Sequence, residues 1–138
     1  MRDDSAAAAP PDPRHDRGAA AERLAAAFLE ARGLAVLLRN FRCRQGELDL
    51  VCADAGFLVV VEVRQRSGTR FGGALASVTA AKRRRIMRAT AVLLLRTRRW
   101  RYACVRFDVV GIQGRPDAAP EIIWIKDAFR GGRGAGLI

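Results

Sequence analysis

Two acidic residues could perform chemistry because each interrupts an apolar run of the kind that forms a buried strand. Asp49 lies in the run GELDLV and Glu62 lies in the run LVVVEV. If the two runs form a hairpin with Ala55 and Gly56 at its tip, Asp49 lies directly across from Glu62. Facing carboxylates repel each other, so this register predicts a cation between them, either a metal ion or Arg64.

The sequence leaves a second arrangement open. A turn of odd length would place the two acids on opposite faces of the sheet, where each would pair with one of the many arginines. Within the first of these strands, strict alternation predicts Glu47 and Asp49 on one face, with Leu48, Leu50 and Cys52 on the other.

Most other catalytic chemistries lack their residues. The sole histidine, His15, lies in a segment rich in Ala, Pro and Asp, and the three cysteines form no CxxC pair, which is typical of a reducing compartment. Zinc sites and nucleophile–histidine pairs are therefore not predicted, and any catalysis falls to carboxylates. No apolar run approaches the ~20 residues of a transmembrane helix, so we expect a cytoplasmic protein without a transmembrane segment.

Positive charge is concentrated in one part of the chain. The net charge is +11, and the stretch between Glu62 and Asp108 holds no Asp or Glu. Its 13 basic residues are Arg64, Arg66, Arg70, Lys82, Arg83, Arg84, Arg85, Arg88, Arg96, Arg98, Arg99, Arg101 and Arg106. Uncompensated charges gain most by displacing counterions from a polyanion, so nucleic acid is the predicted partner. Trp100 and Tyr102 could stack on bases or pack in the core. The alternative is a solvated helix face.

Periodicity and turn residues predict the element order α-β-β-β-α-β-β. The predicted helices are Arg17–Arg32, closed by Gly33, and Ser77–Thr97, capped by Ser77. The predicted strands are Leu34–Arg39, Glu47–Ala53, Phe57–Gln65, Ala103–Ile112 and Glu121–Ile125. We expect a disordered tail at 1–16, one domain at 17–129 and a flexible Gly/Arg-rich tail at 130–138. Strands interleaved with helices predict an α/β fold with a mixed central sheet flanked by helices.

Several short motifs resemble the bacterial YraN family. They are Gly18…Glu22…Ala25…Phe28-Leu29…Gly33, Arg39-Asn40, Gly46-Glu47-Leu48-Asp49-Leu50-Val51, Val61-Glu62-Val63-Arg64, Arg66, Phe71-Gly72, Lys82 and Arg106-Phe107-Asp108-Val109-Val110. The resemblance covers almost the whole domain. It places the chain in the restriction-endonuclease-like PD-(D/E)XK superfamily, near archaeal Holliday-junction resolvases, and implies an αβββαβ core.

The resemblance also implies a catalytic site. Asp49 and Glu62 match the two motif acids, and Glu22 matches an accessory acid; together they would hold Mg²⁺ or Mn²⁺. The motif lysine is replaced by Arg64, which carries charge but has a larger planar head. Three explanations remain open: a general use of arginine for lysine, a decaying site, or Lys82 serving as the positive group.

The expected function is therefore nucleic-acid binding by a nuclease-like fold. One form of it is a metal-dependent endonuclease that acts on branched or single-stranded DNA. The residues expected to contact the phosphate backbone of the DNA are Lys82, Arg83, Arg84, Arg85, Arg88, Arg66 and Arg70. The alternatives are a non-catalytic nucleic-acid-binding module and a basic interaction protein for an acidic partner or membrane surface. The oligomeric state is left open, a homodimer included.

Overall fold

A computed structural model describes residues 13–66, 73–114 and 119–130, with side chains from residue 18 onward. The helices are α1 (Pro13–Glu30), α2 (Gly73–Ser77) and α3 (Ala80–Arg96), followed by a single 3₁₀ turn at Arg98–Trp100. The strands are β1 (Ala35–Cys43), β2 (Gly46–Asp54), β3 (Phe57–Arg66), β4 (Cys104–Gln113) and β5 (Glu121–Phe129). They form one sheet in the order β1-β2-β3-β4-β5.

The sheet is mixed, as the sequence predicts. The β3–β4 pair is parallel, because α3 crosses over between these two strands, and the other neighbours are antiparallel. This confirms the α/β class and the αβββαβ core. The predicted hairpin register is confirmed as well, since Leu50 pairs with Val61 and Asp54 with Phe57 around the turn.

The sheet buries both of its faces. Ala25 and Leu29 of α1 pack on the face that carries Val59 and Val61 of β3. Ile86, Ala89, Leu93 and Leu94 of α3 pack on the opposite face, which carries Leu58 and Val60. Strand β3 therefore lies between two helical layers, which explains why its sequence is apolar on both faces.

Several predicted boundaries are wrong for local reasons. Helix α1 already includes Pro13, the first described residue, and therefore extends further toward the N-terminus than the predicted start at Arg17. The cap of α3 is Thr79 rather than Ser77: the Thr79 hydroxyl accepts a hydrogen bond from the Lys82 N–H, while Ser77 donates to the carbonyl of Ala74 and ends α2.

Strand β5 continues past the predicted end at Ile125 to Phe129. Its pairing with β4 shifts between Phe107 and Val109, and Asp127, at φ 51°, lies in the bulge that results. The bulge is filled by Asp108, whose two carboxylate oxygens accept hydrogen bonds from Arg106, from the Trp124 indole N–H and from the Asp127 backbone N–H. A buried acid with this many donors is a structural anchor for the edge strand.

Candidate active site

The β2–β3 hairpin brings Asp49 and Glu62 together. Their carboxyl groups share a hydrogen bond, and an Asp49 oxygen also accepts the backbone N–H of Val63 at 2.8 Å. The Glu62 side chain is only 5% exposed, and Asp49 is half-buried. The two acids therefore meet in a largely dry environment, as the register predicts.

Helix α1 adds the third predicted acid. The half-buried Glu22 carboxyl is hydrogen-bonded to Asp49, so Glu22, Asp49 and Glu62 form a chain of contacts, named here the acid cluster. The side chain of Asn40 in β1 acts on Glu22 as well and opposes the rise of its pKa. Asn40 was expected only as part of a motif; the signal for its position is that asparagine tolerates a left-handed backbone in the middle of a strand.

Asn40 also lies where the geometry of the neighbouring strand changes. Its φ of 53° falls where β1 runs beside Asp49, between the pairs Arg39–Leu50 and Phe41–Leu48. The predicted alternation of β2 fails at this point: Leu48 packs in the α3-side core, whereas Leu50 packs with Cys52 in the α1-side core. This change of face coincides with the left-handed Asn40 directly beside Asp49 in the neighbouring strand.

Two cationic side chains lie close to the same carboxylate oxygen of the acid cluster. The Oε1 of Glu62 lies 3.5 Å from Nε of Arg64 and 3.7 Å from Nζ of Lys82. Arg64 reaches it along β3, and Lys82 reaches it from the first turn of α3. Of the three readings of the Arg64 substitution, the geometry favours the one in which Lys82 extends into the site.

Burial and like charge set the ionisation of the acids. Burial, followed by the charge of Asp49, raises the pKa of Glu62 to about 8 although Lys82 and Arg64 oppose the shift. Burial also raises the pKa of Asp49, against the pull of the Val63 N–H, and that of Glu22. With a pKa of about 8, Glu62 therefore holds a proton at neutral pH that an isolated glutamic acid would have released.

The donor chemistry of the cluster fits a hard divalent cation, because every side chain in it offers carboxylate oxygens. The acids face one another through hydrogen bonds, and within the described ranges no group of three His, Cys, Asp or Glu side chains is arranged to hold a metal ion. A divalent cation would have to replace the shared protons.

The buried Nε of Arg64 bears on which ligand the site could bind. Its Nε is buried and is the one buried side-chain nitrogen or oxygen of the described residues that lacks a hydrogen-bond partner. A buried guanidinium N–H without an acceptor is costly, and a phosphate oxygen is an acceptor of the right charge. The nearest carboxylate oxygen, Oε1 of Glu62, lies 3.5 Å from this Nε and forms an ion pair without a hydrogen bond, so an anion bound here would compete with Glu62.

The predicted nucleic-acid-binding residues divide into three groups. Arg84, Arg85 and Arg88 are exposed on α3, and Arg66 is exposed at the end of β3. Arg83 is packed instead: its Nε donates to the Val78 carbonyl and its guanidinium lies 5.3 Å from the Phe129 ring centre. Arg70 lies outside the described residues.

The predicted basic surface is therefore smaller than the charge count implies. Arg106 is not uncompensated, because it pairs at 2.9 Å with both Asp54 and Asp108. Lys82 and Arg64 face Glu62. The sequence missed these pairings because the acids involved lie outside the basic stretch, or at its ends, and only the sheet brings them back.

The fold is a mixed five-stranded sheet between two helical layers, consistent with an αβββαβ core, and the two acids lie on adjacent strands of one hairpin. The comparisons with known proteins agree. The model of the uncharacterised protein family UPF0102, the YraN family, matches residues 21–112, and the chain belongs to that family.

Relatives extend across nearly the whole domain. A UPF0102 protein of Halorhodospira halophila is 50% identical over 119 residues, which cover 86% of this chain and 90% of the relative. One from Nitrosococcus oceani is 45% identical over 87% of this chain and 96% of its own length. One from Legionella pneumophila is 41% identical over 85% and 97%. As to membranes, no helix among the described residues is long and apolar enough to cross one.

Proposed function

We propose that the protein is a metal-dependent endonuclease that hydrolyses phosphodiester bonds in branched or single-stranded DNA. The observation that carries the proposal is the convergence of a buried acid, Glu62, and a half-buried one, Asp49, with two cations, Arg64 and Lys82. Opposite charges brought together from two strands and a helix suit a reaction in which a phosphate must be both bound and polarised.

In this proposal the acids bind the metal ion. Asp49 and Glu62, with Glu22 as the accessory ligand, would hold Mg²⁺ or Mn²⁺ through their carboxylate oxygens. The bound ion would supply an activated water and a Lewis acid for the phosphate oxygen. The Val63 N–H keeps Asp49 oriented toward Glu62.

In this proposal the cationic side chains bind the phosphate. Lys82 takes the role of the motif lysine from α3, since its ammonium already lies within 3.7 Å of Glu62. Arg64, whose Nε lies 3.5 Å from the Glu62 carboxylate, contacts the phosphate with the other N–H groups of its guanidinium. Arg84, Arg85 and Arg88, exposed on the same helix as Lys82, bind the flanking backbone.

The test measures cleavage of branched, single-stranded and duplex DNA with Mg²⁺ or Mn²⁺. We expect cleavage that is abolished in Glu62→Gln and reduced about 100-fold or more in Lys82→Ala, the loss typical of removing one charge-stabilising donor. Lys126→Ala is the matched control, because Lys126 is the other lysine of the chain and lies over the Trp124 ring. Cleavage that survives Glu62→Gln would overturn the proposal.

Arg64→Lys tests the motif position separately. If Lys82 already serves as the motif lysine, this variant changes the cleavage rate little. A large increase would show that Arg64 limits the site and that Lys82 does not replace the missing lysine.

One observation favours a second candidate, a nucleic-acid-binding module without catalysis. The acid cluster is satisfied by protons and by two cations, and within the described part of the chain its side chains are not arranged around a metal. This candidate predicts DNA binding that weakens with salt but is indifferent to Mg²⁺. Replacing Arg84, Arg85 and Arg88 by alanine should weaken that binding. Arg83→Ala, which removes a packed arginine of the same helix, should lower stability more than affinity.

A further inference from the structure

A second basic surface lies at the far end of α3 from the acid cluster. It comprises the loop of residues 97–103, named here the 97–103 loop, and Arg96, which precedes this loop. Arg96, Arg98, Arg99 and Arg101 are all exposed, and none of them forms an ion pair with a carboxylate of the described residues. At ~1.5 Å of rise per residue, α3 separates Arg96 from Lys82 by roughly 20 Å. This surface is therefore distinct from the proposed active site.

The loop is built rather than loose. The Thr97 N–H donates to the Leu93 carbonyl, Trp100 to Thr97, and Ala103 to Trp100, each at 2.9–3.0 Å. The half-buried Trp100 packs against the α3-side core, and the Arg99 guanidinium lies 4.9 Å from its ring centre. Trp100 therefore takes the core-packing role, and it fixes the backbone that carries its neighbours.

Tyr102, in contrast to Trp100, is exposed to solvent. Its side chain is 82% exposed, the highest value among the large hydrophobic residues that are exposed. Exposing an aromatic ring in a loop anchored on both sides leaves apolar area in water that a flat partner would cover. An exposed aromatic ring on a surface that carries several arginines is the combination with which proteins stack unpaired bases while contacting their phosphates.

We propose that the 97–103 loop binds an unpaired nucleic-acid strand, with Tyr102 stacking on a base and Arg98 and Arg101 contacting the backbone. Stacking requires an exposed base face, which an intact duplex offers only at its ends, so the loop selects single-stranded over duplex segments. An anionic membrane would also attract arginines, but the loop itself offers one exposed ring and no aliphatic cluster to insert. The proposal takes its class of ligand, nucleic acid, from the proposed function, and it requires no catalytic step.

The experiment measures affinity by fluorescence anisotropy for an oligothymidine of about 16 nucleotides, the upper site size of small single-strand binders, and for a duplex of equal length. We expect Tyr102→Ala to weaken oligothymidine binding about tenfold while duplex binding stays unchanged, and Tyr102→Phe to bind like the wild type. Leu37→Ala, which removes another exposed apolar side chain, on β1, is the matched control. The double variant Arg98→Ala/Arg101→Ala should reduce the slope of log affinity against log salt by about 1.4.

The outcomes separate the two proposals. Absence of cleavage together with Tyr102-dependent oligothymidine binding would leave this inference standing. Unchanged affinity in Tyr102→Ala, or an equal loss on duplex, would overturn it while leaving the nuclease proposal untouched. Tyr102-dependent binding to phosphatidylserine vesicles without oligothymidine binding would also overturn it and assign the loop to membranes.

Discussion

Replacing Glu62 by glutamine should stabilise the protein at alkaline pH. Burial and the charge of Asp49 raise the Glu62 pKa from 4.5 to about 8, so the stability that comes from a neutral Glu62 is complete below pH 4.5 and is lost as pH rises through about 8. At about 1.4 kcal/mol per pH unit, this loss amounts to on the order of 5 kcal/mol. Glutamine is neutral at every pH and avoids it. The effect is large beside a total stability of about 5–15 kcal/mol.

Urea unfolding followed by tryptophan fluorescence measures the difference directly. The free energy of unfolding of Glu62→Gln minus that of the wild type should change little near pH 4.5 and should increase by more than about 1 kcal/mol toward pH 8. Asp49→Asn should give a change of the same sign, since it removes the like charge next to Glu62. The double variant should gain less than the sum, because the two carboxyls share one hydrogen bond.

A difference that is constant with pH would refute this reasoning, as would a Glu62→Gln variant that is less stable than the wild type at pH 8. Either result would show that Lys82 and Arg64 keep Glu62 ionised in the folded protein. Glu121→Gln is the control, since Glu121 is exposed at the start of β5 and should show no comparable trend.

Three further substitutions test the framework around the site. Asp108→Asn places an amide among buried donors that need a carboxylate and should lower the free energy of unfolding by about 3–5 kcal/mol in urea titration. Gly46→Ala brings a Cβ to 3.0 Å from the Arg85 carbonyl oxygen and should cost about 1–3 kcal/mol, measured in the same way. Thr79→Ala should cost about 1 kcal/mol through loss of the α3 cap, and Ser77→Ala less, as thermal unfolding would show; equal effects would contradict the cap assignment.

The sequence predicts the fold well because local signals agree with it. The apolar runs of β2 and β3 and the Ala55-Gly56 turn suffice for the hairpin register, since both turn residues adopt the positive φ that a tight hairpin demands. That register is what places Asp49 beside Glu62. The start of α1 and the end of β5 were predicted less well, the latter because the bulge around Asp127 depends on a buried partner, Asp108.

The surroundings of the acids were less predictable. Whether Lys82 reaches Glu62 depends on how α3 docks on the sheet, which periodicity alone leaves open. The loss of alternation at Leu48 coincides with the left-handed Asn40 in the neighbouring strand. Charge counting likewise placed Arg106 and Arg83 on a surface, because a linear tally carries no information on partners distant in sequence.

The split origin of the charges around Glu62 has a consequence for how the chain folds. The β2–β3 hairpin closes through a tight turn, whereas Lys82 arrives only when α3 crosses over to dock, a step with a larger loop-closure entropy. The nascent hairpin thus carries two facing carboxylates with only Arg64 of β3 beside them, before the second counter-charge, Lys82, arrives. Protonation relieves that repulsion, so refolding should be faster in mild acid than at alkaline pH, and the candidate site is itself a kinetic obstacle to its own assembly.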